Sequence, residues 1–273
     1  MNTVTISVII STYNANEWLK KVLWGYQNQY FKDFEIVIAD DGSGPKTKAL
    51  LEEMRTKVFY PIKHVWQEDD GFQKSKILNK AIVECTAPYI VMSDGDCIPR
   101  PDFLEVHNEL KEEGYYLSGG YFKLPMETSK KIDKNDILSE RCFSVKWLKE
   151  NGVSSSFKLN KLTKRKSKAS LLNFITPTKA TWNGNNSSGW KKDIVAVNGL
   201  DERMQYGGQD CELGERLVNL GIRPKQIRYS TTCIHLDHAR GYKNEESIAR
   251  NNAIRKHTRK SKCVWTDYGI KKE

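Results

Sequence analysis

Apolar runs alternate with helix-like patterns through the first half of the chain. Strand-like runs and intervening helical patterns follow one another at 4–11, 15–29, 34–39, 46–57, 61–66, 72–85 and 88–92. Strands that are apolar without alternation are typical of sheets covered on both faces. Because they alternate with helices, the pattern predicts an α/β fold with a mostly parallel central sheet flanked by helices.

Three polar clusters directly follow three of the predicted strands. They lie at 11–14, 40–43 and 93–96. In parallel sheets ligands bind beyond the carboxyl ends of the strands. The clusters therefore predict one site at a common sheet edge rather than three separate loops.

Asp94 and Asp96 form a short acidic bracket at the end of the last of these strands. Two carboxylates this close are costly unless a cation lies beside them. Mg²⁺ and Mn²⁺ prefer carboxylate and phosphate oxygens. An isolated Asp-x-Asp arises easily by chance, but here it follows a strand and has two companion clusters. We predict that Asp96 binds Mn²⁺ or Mg²⁺ carrying a nucleotide diphosphate, and that Asp94 contacts the ribose or a metal-bound water.

Asp41 also follows a strand, and Gly42 after it allows a tight turn. A carboxylate there can accept hydrogen bonds from a base N–H, so we expect Asp41 to contact the nucleotide. The alternative is that Asp41 or Ser43 caps the next helix.

The three clusters, in this order and spacing, resemble the family 2 glycosyltransferases of the GT-A fold, a Rossmann-like nucleotide-diphospho-sugar transferase fold. The resemblance covers about residues 4–125. It implies that Ser11, Tyr13 and Asp41 hold a uracil base. It also implies that Asp94 and Asp96 hold the ribose, the diphosphate and Mn²⁺ or Mg²⁺, so that a UDP-sugar is the donor.

The segment 66–72 also resembles bacterial members of this family. There an Arg often follows Gly-Phe, whereas this chain has Gln73. The cationic contact with the donor is therefore missing or is supplied by Lys74 or Lys76.

Residues 189–213 resemble the C-terminal catalytic segment of β-1,4-galactosyltransferases and chondroitin-polymerase-like enzymes. Their Gly-Gly-Glu-Asp pattern is present with Gln209 in place of the Glu. The resemblance implies that Asp210 is the general base and that Trp190, Gly208 and Gln209 contact substrate. A positioned carboxylate can take the proton of an attacking sugar hydroxyl. The alternative is a helix start with Asp210 near its positive end.

A late histidine completes the metal shell in the resembling families. His238 matches this position best, and His235 is the alternative. Neutral imidazole is a suitable ligand for Mn²⁺, although a lone histidine is more often structural.

The segment 182–188 combines an aromatic ring with amides and hydroxyls, a mixture that suits a sugar. We predict that Trp182 and Asn185 contact the donor or acceptor sugar. The alternative for Trp182 is a place in the core.

The net charge of +10 is concentrated in two segments. Residues 146–168 hold eight Lys or Arg and one Glu, and residues 243–273 hold nine Lys or Arg and four acids. Such segments suit an anionic membrane or an acidic substrate, and the alternative is a solvated face. No nucleic-acid-binding motif accompanies the charge, so nucleic acid is not expected.

The six cysteines are scattered without a Cys-x-x-Cys pair, so neither a zinc cluster nor a disulfide scaffold is predicted. No apolar stretch approaches the roughly 20 residues that span a bilayer, and the N-terminus does not resemble a signal peptide. We expect a cytoplasmic protein that the basic segments hold peripherally at the inner face of the cytoplasmic membrane.

Four regions are predicted. Residues 1–125 form the nucleotide-sugar-binding half, and 126–180 form an insertion or mobile loop over the site. Residues 181–240 form the acceptor-binding and catalytic half. Residues 181–273 together are expected to pack with 1–125 as one GT-A domain. Residues 241–273 form a basic, helical C-terminal extension.

The leading hypothesis is a metal-dependent inverting glycosyltransferase. It would transfer a sugar from a UDP-sugar to a hydroxyl of a glycan or glycolipid in bacterial lipopolysaccharide, capsule or other surface polysaccharide synthesis. A sugar-1-phosphate nucleotidyltransferase would need a Gly-rich, basic phosphate loop, which 12–16 is not. A non-catalytic carbohydrate-binding subunit is a third possibility. The donor sugar, the acceptor linkage and the oligomeric state stay open.

Overall fold

The computed structural model describes residues 4–239 and 244–272. The strands are β1 (Ile6–Thr12), β2 (Phe34–Asp40), β3 (Ile62–Trp66), β4 (Tyr89–Asp94), β5 (Cys97–Pro99), β6 (Tyr115–Ser118), β7 (Gly120–Lys123), β8 (Ser187–Trp190), β9 (Arg223–Gln226) and β10 (Thr232–His235). The α-helices are α1 (Asn16–Gln27), α2 (Pro45–Arg55), α3 (Lys74–Glu84), α4 (Phe103–Leu110), α5 (Met126–Lys131), α6 (Lys134–Leu138), α7 (Val145–Glu150), α8 (Lys166–Ile175), α9 (Lys191–Ala196), α10 (Gln209–Asn219) and α11 (Glu245–Ser261). Short 3-10 helices cover Arg141–Phe143 and Phe157–Leu162.

The central sheet has seven strands in the order β3-β2-β1-β4-β8-β6-β9. Strand β8 runs antiparallel to its neighbours β4 and β6, and the other pairs are parallel. The predicted mostly parallel sheet flanked by helices is thus confirmed. The carboxyl ends of β1, β2 and β4 meet at one edge, which brings the three polar clusters together.

A second sheet of three strands, in the order β5-β10-β7, lies beside this edge. Its antiparallel pairing of β10 with β5 places His235 opposite Cys97. The late histidines therefore lie next to the acidic bracket, although about 140 residues separate them along the chain.

The two faces of the central sheet carry separate apolar clusters, as the alternation of side chains along a strand requires. In β1, Ile6, Val8 and Ile10 pack on the side of α1 and α2. Ile9 points to the opposite side, where it joins apolar residues of α3, α9 and α10. Burial of both faces explains why β1 reads as a continuous apolar run rather than an alternating one.

The segment 126–180 contains helices α5 to α8 and both 3-10 helices, so it is a helical segment rather than one long irregular loop. Its buried apolar side chains that join the first core cluster are Ile132, Ile137, Cys142, Phe143, Leu148, Val153 and Leu162. Three of its α-helices have only five or six residues. Such helices are too short to show a helical period in the sequence.

The C-terminal extension packs on the catalytic half through α11 and the tail that follows it. Arg216 in α10 forms a buried ion pair with Glu212, and Thr258 of α11 donates a hydrogen bond to the same carboxylate. The tail returns to Asn198, whose amide donates to the carbonyl of Thr266. Residues 241–243 and 273 of this predicted region, and residues 1–3 of the first, lie outside the described residues.

Across residues 4–239 and 244–272, no helix combines the length and apolar content that a bilayer-spanning segment needs.

Candidate active site

A cavity of about 1010 Å³ opens at the carboxyl edge of the central sheet, between the two halves of the chain. Residues from both halves of the chain form its wall, as expected if the predicted residues belong to one site. The predicted site residues that line it are Ser11, Tyr13, Asp41, Asp94, Asp96, Asn185, Gly208, Gln209, Asp210, His235 and His238.

Asp94 ends β4 and is held by two donors. Ser11 Oγ donates to Asp94 Oδ1 over 2.7 Å, and Lys74 Nζ donates to the same oxygen over 2.6 Å. Ser11 lies beside it because β1 and β4 are neighbouring parallel strands in which these two residues are in register. Asp94 thus lines the cavity with a hydroxyl and an ammonium group bound to the same carboxylate oxygen.

Asp96 faces two imidazoles. His238 Nε2 lies 2.9 Å from Asp96 Oδ2, and His235 Nε2 lies 3.8 Å from it. The two rings stack with their centroids 5.6 Å apart. Burial alone would raise the pKa of Asp96, but the hydrogen bond to His238 and the charges of both histidines hold that pKa below its ordinary value.

The donor atoms around Asp96 fit a hard divalent ion. Asp96, His235 and His238 each offer one ligand atom within 4.8 Å of the others. The Nδ1 atoms of His235 and His238 lie 2.8 Å from the carbonyl oxygens of Leu236 and Ala239. A hydrogen bond at Nδ1 favours the tautomer whose Nε2 lone pair is available to a metal. The carboxylate and imidazole set suits Mn²⁺ or Mg²⁺.

Asp41 is 7% exposed and faces the cavity from the end of β2. Gln67 Nε2 and the backbone N–H of Gln73 donate to its two oxygens over 2.7 and 2.9 Å. Burial raises the pKa of Asp41 to about 6. The residue before α2 is Gly44, with no side-chain cap, so the capping alternative for Asp41 is not observed.

Tyr13 lies at the open side of the cavity and is 51% exposed. Its hydroxyl donates to Asp69 Oδ2 over 2.8 Å. The ring therefore stands at the rim with its polar end fixed, a position from which a flat aromatic face can stack against a ligand.

Asp210 lies in the first turn of α10, so the helix-start alternative and the cavity position both hold. The backbone N–H groups of Gly184 and Cys211 donate to its two oxygens over 2.9 and 2.8 Å. Gly208 precedes the helix at a φ of 84°, a conformation in which glycine is favoured. Gln209 Oε1 accepts from the N–H of Gly207 and closes the same turn.

Lys74 is a residue that sequence reasoning left undecided and that the structure places in the cavity wall. Lys76 is exposed on α3 and is not part of that wall. Although burial disfavours the ammonium, the negative charge of Asp94, followed by those of Asp210 and Asp96, raises the pKa of Lys74 above its ordinary value. Of the two lysines suggested to replace the cation missing at Gln73, Lys74 is the one that lies in the cavity wall.

Gly184 lies where the two halves of the site meet. A Cβ built on it would lie 3.6 Å from Lys74 Nζ, 3.7 Å from Asp210 Oδ2 and 3.9 Å from Asp94 Oδ1. Gly184 was not predicted, because a single glycine among amides carries no chemical signal in the sequence.

Trp182 and Trp190 do not line the cavity, which corrects their predicted contact with substrate. Trp182 is fully buried in the second core cluster, with its ring 5.5 Å from that of Tyr116. Trp190 packs edge-on to Tyr89 and donates from Nε1 to the carbonyl of Glu112. The core alternative for Trp182 is thus the observed one.

Phe72 and Tyr206 were also missed as cavity residues. Their rings pack edge to face, 5.9 Å apart, and join the loop before α3 to the loop before α10. Both lie in the segments 66–72 and 189–213 that carry the family resemblance, and this was the signal that could have found them.

Comparison with known proteins places the chain in a family. The model of glycosyl transferase family 2 matches residues 7–172, more than half of the chain. The chain therefore belongs to glycosyl transferase family 2. This confirms the predicted family and the enzyme class, and it favours the transferase over both alternatives.

Relatives extend the similarity into the second half. Chondroitin synthase from Escherichia coli is 27% identical over 228 residues, which is 79% of this chain and 32% of that protein. Chondroitin synthase from Pasteurella multocida (strain Pm70) is 28% identical over 232 residues, 80% of this chain and 23% of that protein. The chain thus spans a third or less of the length of these relatives.

Solved structures share the fold. S. aureus TarS 1-349 in complex with UDP matches with a TM-score of 0.59 at 14% identity, over 92% of this chain and 64% of that chain. The mannosyltransferase PcManGT from Pyrobaculum calidifontis, in complex with GDP-Man and Mn²⁺, matches with a TM-score of 0.56 at 16% identity, over 89% and 59%. The GT-A fold predicted from the motifs is confirmed by these neighbours.

Proposed function

We propose that this chain is a metal-dependent inverting glycosyltransferase that transfers a sugar from a UDP-sugar to a hydroxyl of a glycan or glycolipid acceptor. The observation that carries the proposal is the meeting of Asp94 and Asp210 around Gly184. The cavity thereby holds Asp94, which is suited to the side of the leaving diphosphate, close to Asp210, which is suited to the incoming hydroxyl.

The choice of a nucleotide-sugar donor is supported by the fold neighbours. TarS has been solved with UDP and with UDP-GlcNAc, and PcManGT with GDP-Man and Mn²⁺. In this chain Asp41, which can accept from a base N–H, and Tyr13, whose ring can stack on the base, lie at one end of the cavity. Ser11 lies next to Asp94, where a ribose would follow.

Asp96 and His238 would hold the metal ion, with His235 as the alternative ligand. A bound Mn²⁺ or Mg²⁺ neutralises negative charge that develops on a departing diphosphate. Lys74, held by Asp94, offers a second positive charge at the same place. Gly208, Gln209 and Asn185 border the space where the sugars would lie, and Asn185 Oδ1 is a buried acceptor with no hydrogen-bond partner within the described structure.

Asp210 would act as the general base. It takes the proton of the acceptor hydroxyl as that oxygen attacks the anomeric carbon. Its two N–H donors fix the carboxylate and leave further lone pairs for the hydroxyl. Direct displacement by one attacking oxygen inverts the anomeric centre.

The acceptor would belong to a bacterial surface polysaccharide such as lipopolysaccharide or capsule, and the names of the chondroitin synthase relatives support a polysaccharide product. We also propose that the basic segments 146–168 and 243–273 hold the chain at the inner face of the cytoplasmic membrane. In the second segment Arg255 and Arg259 pair with Glu215, and Lys272 pairs with Glu202, so part of its charge is already satisfied.

The test is release of UDP from a panel of UDP-sugars, measured with Mn²⁺ and again with a chelator. We expect release only with the metal, and loss of release in Asp96→Ala and His238→Ala. Asp267→Ala and His257→Ala change exposed residues outside the cavity and serve as controls. Metal-independent release, or unchanged release in both site variants, would contradict the metal assignment, and no release from any donor would contradict the function.

A further inference from the structure

Helix α8 presents an apolar face to solvent. Leu171, Phe174 and Ile175 are 58%, 88% and 56% exposed. Their spacing of three and four residues puts them on one side of the helix, where they form a continuous strip that we call the α8 stripe. Singly exposed apolar residues are normal on protein surfaces, but a contiguous group with an aromatic ring marks an interaction site.

The opposite face of α8 is fixed to the body of the protein. Ala169 and Leu172 are buried and pack with Tyr229. Asn173 donates to Ser230 Oγ over 2.8 Å and accepts from the backbone N–H of Tyr229 over 2.9 Å. The exposure of the α8 stripe therefore follows from the way the helix is bound, because turning it inward would expose these contacts.

The surroundings of the α8 stripe are strongly basic. The residues from Lys164 to Lys168 are all exposed and include four cations, and no Asp or Glu occurs in the sequence between Glu150 and Asp193. Lys164 and Lys166 pair with Glu140 and Glu109. Across the part of the chain that the structure describes, no ion pair involves Arg165 or Lys168, so their charge faces outward.

We propose that the α8 stripe is a docking site for an anionic lipid bilayer. An exposed helix face with Phe and Leu, bordered by Lys and Arg, is the composition of helices that lie in the membrane interface. The apolar side chains enter the boundary of the acyl chains while the cations contact the anionic headgroups. A protein partner fits less well, because interfaces between proteins are depleted in lysine.

The position of the α8 stripe suits a lipid-linked acceptor. Gly184, which contacts Asp210, is nine residues after Ile175 along the chain, and a chain of that length spans at most about 30 Å. A bilayer held at the α8 stripe therefore lies within reach of the reacting end of an acceptor that is anchored in it. In this respect the proposal rests on the proposed function and adds to it the surface that meets the lipid.

The test is sedimentation of the full chain with vesicles of phosphatidylcholine alone and of phosphatidylcholine mixed with phosphatidylglycerol. We expect binding to the mixed vesicles, and a loss of about tenfold or more in Phe174→Ser, because an exposed aromatic supplies much of the inserted apolar area. Val83→Ser, which changes a residue 55% exposed on α3, is the matched control and should bind like the unchanged chain.

The charge is tested by a double variant, Arg165→Gln with Lys168→Gln, against Lys46→Gln with Lys48→Gln on the exposed side of α2. We expect weaker binding to mixed vesicles in the first pair alone. Equal binding of Phe174→Ser and the unchanged chain, or binding that ignores phosphatidylglycerol, would overturn the proposal. The proposal would also be overturned if the unchanged chain were an oligomer without vesicles and Phe174→Ser were a monomer. The α8 stripe would then be an interface between copies of the chain.

UDP release to water is measured in parallel with vesicle binding. We expect it to stay unchanged in these variants. Loss of vesicle binding with normal UDP release then tests the surface alone, whereas no UDP release from the unchanged chain would contradict the proposed function.

Discussion

At the scale of single residues, the carboxylate of Asp210 is the clearest test of the chemistry. It occupies the cavity wall opposite the acidic bracket and holds its position through two backbone N–H groups. Asp210→Asn keeps the size of the side chain but removes the ability to take a proton. We expect sugar transfer to fall about a hundredfold to ten-thousandfold, the usual contribution of a general base, while UDP binding is retained.

The control for this experiment is Asp267→Asn, which changes an exposed acid outside the cavity. Transfer is measured with a saturating donor so that chemistry and binding are separated. Full transfer by Asp210→Asn would show that another group takes the proton.

The second prediction at this scale concerns Asp41 and the pH dependence of UDP binding. Because burial raises its pKa from 3.8 to about 6, this carboxyl becomes protonated two pH units earlier than an ordinary Asp as the pH falls. Protonation removes an acceptor for the base N–H. We therefore expect UDP affinity to be full only well above pH 6, to be reduced near pH 6 and to weaken further as the pH falls below it.

In Asp41→Asn the side chain at position 41 does not titrate. We expect this variant to bind UDP more weakly but without this pH dependence. The measurement is calorimetric titration with UDP and metal between pH 5 and 8. If Asp41→Asn lost affinity at low pH as the unchanged chain does, the transition would belong to another group that lines the cavity.

At the scale of elements, the close contact between α10 and the segment before β8 sets the geometry of the site. Gly214 faces Trp182 so closely that an added Cβ would lie 2.8 Å from Trp182 Cβ and 3.0 Å from its backbone N. Two residues further on, Gly184 donates to Asp210. The buried Trp182, first predicted to bind sugar, instead packs on α10 next to the backbone segment that contacts Asp210.

We therefore expect Gly214→Ala to impair transfer by displacing Gly184 from Asp210. In an open helix this change would add about 1 kcal/mol of stability through helix propensity. Here overpacking costs about 1–3 kcal/mol and cancels that gain. Urea unfolding and turnover are measured together, with Gly44→Ala, whose Cβ would meet only Asn14 at 3.9 Å, as control. Higher stability with full turnover would contradict the role of this contact.

The same elements show what the sequence could predict. Strands β1, β2 and β4 are apolar throughout because both faces are covered, and the polar cluster after each lies at one sheet edge by topology alone. The short helices of 126–180 left no periodic signal, and their burial comes from contacts distant in sequence. The places of Trp182 and Trp190 were also set by such contacts, since an aromatic beside amides suits a core and a sugar site equally well.

At the scale of the whole molecule, the cavity joins two halves of the chain that are linked through the sheets. A ligand that binds only the folded chain stabilises it by mass action, by about 2.7 kcal/mol at a concentration one hundred times its dissociation constant. We expect UDP with Mn²⁺ to raise the melting temperature of the full chain by several degrees. Asp96→Ala should lose the part of the increase that depends on Mn²⁺, and an equal increase in that variant would place the ion elsewhere.

The balance of charge in the cavity has a consequence for the order of events. Lys74 is opposed by acidic side chains among the described residues of the wall, namely Glu17, Asp41, Asp94, Asp96 and Asp210. A nucleoside diphosphate that arrives without a cation is repelled by such a wall. On the proposed function, we therefore expect the ion to enter first or together with the nucleotide, and to leave with or after the diphosphate. If the proposed function holds, we expect turnover to depend on the free metal concentration both when the donor binds and when the diphosphate leaves.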